Sequence, residues 1–195
     1  MPQGAARPLP ITLMTMSHSP RIIAGAWKGR KLAAPAGLGT RPTNARARQA
    51  VFDILAHAPW CDLRGAKVLD VFAGTGAYGL EALSRGAVSA VFFEQSPAAL
   101  AALRVNVAAC KANAGVVAGD VLSAPPGEPH NLVFLDPPYG EDFILKALAV
   151  LRARNWIAPG AIIVAELGPG DEMETPNLLA ERTHGKAGVK IWREE

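Results

Sequence analysis

From residue 66 onward, short β-rich apolar runs alternate with helical patterns, and this alternation constrains the fold more than any other feature. Lys67–Phe72, Val88–Glu94, Val116–Gly119, Leu132–Asp136 and Ala161–Leu167 read as strands. Near-continuous apolar strands belong to a sheet covered on both faces. Between them, Tyr78–Ser84 starts a helix after glycines, and Ser96-Pro97 supplies an N-cap with proline at the first helical position. Leu100, Leu103, Val107 and Cys110 then recur at helical spacing, and a third helix is predicted from Asp142 to Arg154. Ala187–Arg193 reads as one more strand, entered through the Gly-containing stretch His184–Gly188. The pattern predicts a doubly wound α/β fold, whose ligands sit at the carboxyl ends of the strands.

The 195 residues give room for one domain and a short appendage, and 50% hydrophobic content excludes disorder as the main state. The longest clean apolar runs, such as Ala161–Ala165, are strand-sized, far short of the ~18 residues of a membrane span. A soluble, cytoplasmic protein is expected. Near the N-terminus, Ile11–Met16 imitates a secretory signal, but Pro8, Pro10 and Pro20 surround it and Arg21 precedes the would-be cleavage site. Residues 1–20 are expected to form a disordered extension, with Met14 or Met16 as alternative starts. Cys61 and Cys110 lack CxxC spacing and have only four His to join them, so neither a metal site nor a disulfide framework is expected.

Charge is distributed unevenly. Residues 1–50 hold eight basic side chains (Arg7, Arg21, Lys28, Arg30, Lys31, Arg41, Arg46, Arg48) and no acidic one, whereas the remaining chain carries twelve basic and all 17 acidic residues. A basic arm on a slightly acidic body suggests a polyanionic partner, against the blander alternative of a solvated charged segment. Within the arm, Arg21–Ala24 and Arg30–Ala33 bracket a turn to form a small hairpin, and Thr43 or Asn44 can cap a helix that turns Val51, Ile54 and Leu55 inward.

Two motifs carry chemistry. The strand ending Asp70-Val71-Phe72 runs into Ala73-Gly74-Thr75-Gly76-Ala77-Tyr78-Gly79, and Glu94 ends the next strand twenty positions after Gly74. By spacing this is a dinucleotide fingerprint. Asp70, however, sets a negative charge where a pyrophosphate would arrive. S-adenosylmethionine, with an ammonium, a sulfonium and no phosphate, fits better, its ribose hydroxyls offered to Glu94 and its adenine amine to Asp120. The second motif is Asp136-Pro137-Pro138-Tyr139 after the fourth strand. Its prolines donate no amide, so the loop presents acceptors, the Asp136 carboxylate and the Pro137 carbonyl. That suits the N–H groups of an exocyclic base amine, with Tyr139 stacking on the extruded base. A rigid turn with a solvent-facing Tyr is the alternative.

These residues, together with Arg21-Ile22-Ile23-Ala24-Gly25, Lys28-Gly29-Arg30-Lys31-Leu32, Arg41-Pro42-Thr43 and Val51-Phe52-Asp53-Ile54-Leu55, resemble the bacterial 16S ribosomal RNA guanine-N2 methyltransferase family. The resemblance runs from about residue 21 to the end. It implies a Rossmann-like class I methyltransferase with a mostly parallel seven-stranded sheet, divided into an extension (1–20), an RNA-contacting arm and helix (21–60) and a methyltransferase domain (61–195). It implies S-adenosylmethionine as cofactor, held by Asp70, Phe72, Ala73, Gly74, Thr75, Gly76, Glu94, Gln95, Asp120 and Val121, with Thr43 near the methionine end. Asp136, Pro137, Pro138 and Tyr139 are the implied catalytic residues. Arg21, Lys28, Arg30, Lys31, Arg41, Arg46 and Arg48 are the expected contacts to 16S ribosomal RNA, free or within the small subunit, by a monomer without metal. Asn44, Ala45, Gln49 and Asp53 depart from the family pattern, which puts arm-to-cofactor bonding in question. A DNA-adenine methylase, a protein-glutamine methylase, an NAD-binding oxidoreductase and a silent RNA-binding module are competing readings. The short arm, Asp136 where Asn would stand, the charge of Asp70 and the intact motifs argue against them in turn.

Overall fold

A computed structural model of the chain describes residues 19–35, 42–138, 143–171, 173–184 and 187–195. Element order is α1 (Pro42–His57), β1 (Lys67–Val71), α2 (Ala77–Ser84), β2 (Ser89–Glu94), α3 (Pro97–Cys110), β3 (Ala114–Ala118), a 3-10 turn (Val121–Ser123), β4 (His130–Leu135), α4 (Phe143–Ala153), β5 (Ile157–Leu167), β6 (Leu178–His184) and β7 (Ala187–Arg193). The seven strands form one sheet in the order β3-β2-β1-β4-β5-β7-β6. β1 to β5 run parallel, and β7 lies antiparallel between β5 and β6. The order reverses between β1 and β4, which opens a crevice at their carboxyl ends.

Side-chain alternation splits the core in two. Val68, Phe92, Phe134, Val164 and Ile191 point to one face, where Phe52 of α1, Leu80 of α2 and Leu103 of α3 cover them. Leu69, Phe93, Val133, Leu135 and Ile163 point to the other, against Ile144, Leu148 and Leu151 of α4. Each such fully buried side chain contributes about 1.5–3 kcal/mol. The anticipated Ser96 cap is present: its side chain accepts from the Ala99 amide, with Pro97 opening α3.

Several boundaries moved. β3 begins at Ala114 rather than Val116, because Ala114 and Gly115 already pair with Ala90 and Val91. β5 reaches back to Ile157, across a register shift opposite β4 between His130 and Leu132. The sequence pattern did not single out β6, an edge strand whose middle, Glu181 and Arg182, is exposed. The predicted start of the third helix at Asp142 lies outside the described residues, as does the extension before Ser19.

The basic hairpin forms as a tight loop closed by one antiparallel bridge, Arg21 to Lys31, with Gly29 N donating to Ile22 O at 2.8 Å and Ile22 N to Arg30 O at 3.0 Å. Its apolar residues Ile22 and Leu32 join the same core group as α1 and α2. Among the described residues no helix is long and apolar enough to cross a membrane.

Candidate active site

The turn after β1 is tightly wound. Phe72, Gly74 and Gly76 take positive φ of 63°, 55° and 78°, and a Cβ on Gly76 would lie 2.5 Å from Leu103 Cδ1, so glycine is required there for both conformation and space. Glu94, at the end of β2, fastens this turn. Its Oε2 accepts from Gly74 N and its Oε1 from Ser96 N, each at 2.7 Å. Asp120 accepts from Leu122 N at 2.9 Å and caps the 3-10 turn.

A cleft of ≈ 240 Å³ opens at these strand ends, lined by Phe72, Glu94, Gln95, Asp120, Val121 and Asp136, among others, with Pro138 at its edge. The two motifs therefore share one cavity. Among the described residues, its lining includes three carboxylates and no Lys or Arg, which disfavours a pyrophosphate and favours a ligand with positive charge.

Beneath the cleft lies a buried polar group. Asp70 is 3% exposed and accepts from Gly79 N at 2.8 Å. Burial pushes its pKa up to about 8, with Asp136 and Glu94 adding to the rise while the Gly79 bond and Arg48 oppose it. Burial, then the charge of Glu166, also raises Asp136. Glu166 accepts a hydrogen bond from the Tyr78 hydroxyl, whose ring stacks on Phe134 at 5.0 Å. Arg48 projects from α1 into this group, its pKa lowered by burial against the support of Glu81, Tyr78, Glu166 and Asp70.

A second set of bonds seats the arm. Glu81 of α2, fully buried, accepts from the Ile23 and Ala24 amides at 2.6 and 3.0 Å and pairs with Arg85 at 2.7 Å. Ser84 Oγ accepts from Trp27 N and donates to Ala24 O. Asn106 of α3 accepts from Ala33 N at 2.7 Å and donates to Ala33 O at 3.0 Å and to Thr75 O at 2.9 Å, joining the arm to the glycine turn.

One expectation needs correction. Arg48, predicted to face RNA, is 4% exposed and donates to Arg21 O at 2.8 Å; its helical position turns it toward the buried carboxylates. Arg21, Lys28, Arg30, Lys31 and Arg46 are exposed, with Arg30 also donating to Ala109 O at the end of α3. Arg41 and Tyr139 lie outside the described residues, as does the side chain of Thr43. Of the departing residues, Gln49 Nε2 donates to Asp53 Oδ1 at 2.6 Å, an exposed pair along α1. Sequence reasoning missed Glu81, Asn106, Tyr78 and Glu166. For Glu166 a signal existed, since an acid near the end of an apolar strand is the feature that singled out Asp70 and Glu94.

A parallel sheet with this strand order, an antiparallel β7 and a glycine turn at the switch point defines a Rossmann-like methyltransferase fold. The family model described as conserved hypothetical protein 95 matches residues 20–193, and the chain belongs to that family. It is 38% identical over 182 residues to ribosomal RNA small subunit methyltransferase D of Escherichia coli K12, covering 90% of each chain. To the protein of the same name from Haemophilus influenzae it is 35% identical, covering 89% of this chain and 93% of that one. Among solved structures, yhhF of Escherichia coli superimposes with a TM-score of 0.80 at 38% identity, covering 91% of this chain and 98% of that one.

Proposed function

We propose that this chain transfers a methyl group from S-adenosylmethionine to the exocyclic N2 amine of a guanine in 16S ribosomal RNA. The observation that carries the reading is the single cleft in which Glu94 and Asp120 meet Asp136 and Pro138 at the sheet's switch point. Its similarity to small-subunit rRNA methyltransferases supports the RNA substrate. S-adenosylmethionine, when bound, supplies an electrophilic methyl group. Glu94 would hold it, with Asp120 toward the adenine and Asp70 acting from beneath the cleft, and the acidic lining fits that cationic ligand.

The chain's own residues then act on the base. Its amine is a poor nucleophile because the nitrogen lone pair is delocalised into the ring. Asp136 Oδ and the Pro137 carbonyl, gripping both N–H groups, favour the pyramidal geometry that frees the lone pair, an interaction stronger in the transition state than in the ground state. Tyr139 supplies the stacking face. The exposed Arg21, Lys28, Arg30, Lys31 and Arg46 of the arm and α1 meet the phosphate backbone.

The test is incubation with methyl-labelled S-adenosylmethionine and, in parallel, free rRNA, isolated small subunits, DNA and protein, followed by mapping of the labelled atom. Label on guanine N2 of 16S rRNA is expected. Label on a ring nitrogen, a ribose oxygen, DNA or protein would overturn the reading.

A further inference from the structure

Methylation of a neutral amine makes the nitrogen cationic. Its lone pair forms the N–C bond, the C–S pair stays with sulfur, and one N–H proton must then leave, its electron pair returning to nitrogen. We propose that Glu166 is a positioning residue for this step: its carboxylate, held by the Tyr78 hydroxyl, keeps Asp136 a strong acceptor for that proton. The inference rests on the proposed amine methylation.

The geometry comes from the sheet. Leu135 of β4 pairs in parallel with Ala165 of β5, and Asp136 and Glu166 are the next residues of the two segments, at the same end of the sheet. Glu166 lies on the face that α1 and α2 cover, since Tyr78 of α2 reaches it there. Tyr78 is fixed by its ring, stacked against Phe52 and Phe134, so its hydroxyl is a preset donor to Glu166. Glu166 itself is 6% exposed, whereas Asp136 opens to the cleft. The outer carboxylate can therefore exchange a proton with substrate and solvent, while the inner one is held beside it by the Tyr78 hydroxyl.

The other titratable groups near Asp136 are Asp70 from β1 and Tyr78 from α2, with Glu94 and Asp120 across the cleft, while Arg48 from α1 faces Glu166 and Asp70. Glu166 is the one whose charge acts most on Asp136, after burial itself, in raising its proton affinity. A base whose affinity lies nearer the working pH accepts a proton more effectively than an ordinary aspartate.

Glu166→Gln keeps the shape and the acceptor for Tyr78 and removes only the charge. In full-length protein acting on small subunits or free rRNA, the acid limb of kcat should move to lower pH by about one unit. The plateau should fall on the order of tenfold, with KM for both substrates unchanged and Glu166→Asp recovering part of the loss. An acid limb superimposable on that of the unaltered protein would overturn the proposal. Should Glu166→Gln not fold, carbon-13 carboxyl titration of the unaltered protein, assigned with Asp136→Asn, decides: Asp136 and Glu166 titrating in coupled steps, each curve bent by ionisation of the other, supports it, and Asp136 titrating in one simple step independent of Glu166 overturns it. If the unaltered protein methylates no rRNA, the functional reading fails, while the titration still reads the Glu166–Asp136 relation by itself.

Discussion

Glu94 accepts two backbone amides from two different turns, so its carboxylate organises the cleft before any ligand arrives. Glu94→Ala is expected to weaken S-adenosylmethionine binding by roughly 1–3 kcal/mol, and calorimetry with the cofactor or its demethylated product measures it. Unchanged affinity would remove Glu94 from the cofactor site. Asp70 makes a pH-dependent prediction. Its pKa is pushed up to about 8 by burial, above the ~3.9 of the unfolded chain, so the folded state binds the extra proton. Its stabilising contribution is therefore complete below ~3.9 and is lost as pH rises through about 8. Free protein should lose stability to urea across that interval, and Asp70→Asn should flatten the slope. A cationic ligand favours the ionised form, so cofactor affinity should rise with pH over the same range; an affinity independent of pH would detach Asp70 from the ligand's charge. Asp70's place at a strand end is legible from the sequence. Its protonation is not, because that depends first on burial in the assembled fold, then on the Gly79 bond and on Asp136, Glu94 and Arg48 brought in from three other elements.

Elements differ in how openly the sequence announces them. β1, β2 and α3 are legible because local signals agree: apolar runs for the strands, and a cap, a first-turn proline and helical spacing for α3. β6 is not, because Leu178–His184 carries exposed charge and acquires its strand conformation by pairing with β7 alone. The arm lies between these cases. Its hairpin can be read from Gly25 and Gly29, but its docking cannot, since it depends on Glu81, which looks like an ordinary helix-surface acid within Ala-Tyr-Gly-Leu-Glu. Glu81 holds two arm amides and Arg85. Glu81→Ala would leave a partly buried guanidinium and two amides without their acceptor, a loss of about 3–5 kcal/mol. Chemical denaturation measures the total. Hydrogen exchange should speed up selectively over residues 22–33; unchanged protection there would mean that the arm is held by other contacts.

At the scale of the whole molecule, five of the eight basic residues in the first fifty, Arg21, Lys28, Arg30, Lys31 and Arg46, lie exposed on the docked hairpin and on α1. Arg48 is internal, and Arg30 caps the end of α3 through Ala109 O. A charge test of RNA binding should therefore spare both, since reversing either would disturb structure as well as surface potential. Lys28 and Lys31 are exposed on the hairpin and suit the purpose. Lys28→Glu with Lys31→Glu should raise KM for rRNA and reduce the slope of log affinity against log salt by roughly 1.4–1.8, the contribution of two phosphate contacts. Cofactor affinity should stay unchanged, because neither side chain lines the cleft. Filter binding across a salt series, with calorimetry of the cofactor alongside, separates the two effects. A salt slope equal to that of the unaltered protein would take the hairpin out of the RNA interface. A parallel loss of cofactor affinity would instead mean that the substitutions reach the glycine turn, through the Ala33–Asn106–Thr75 bonds.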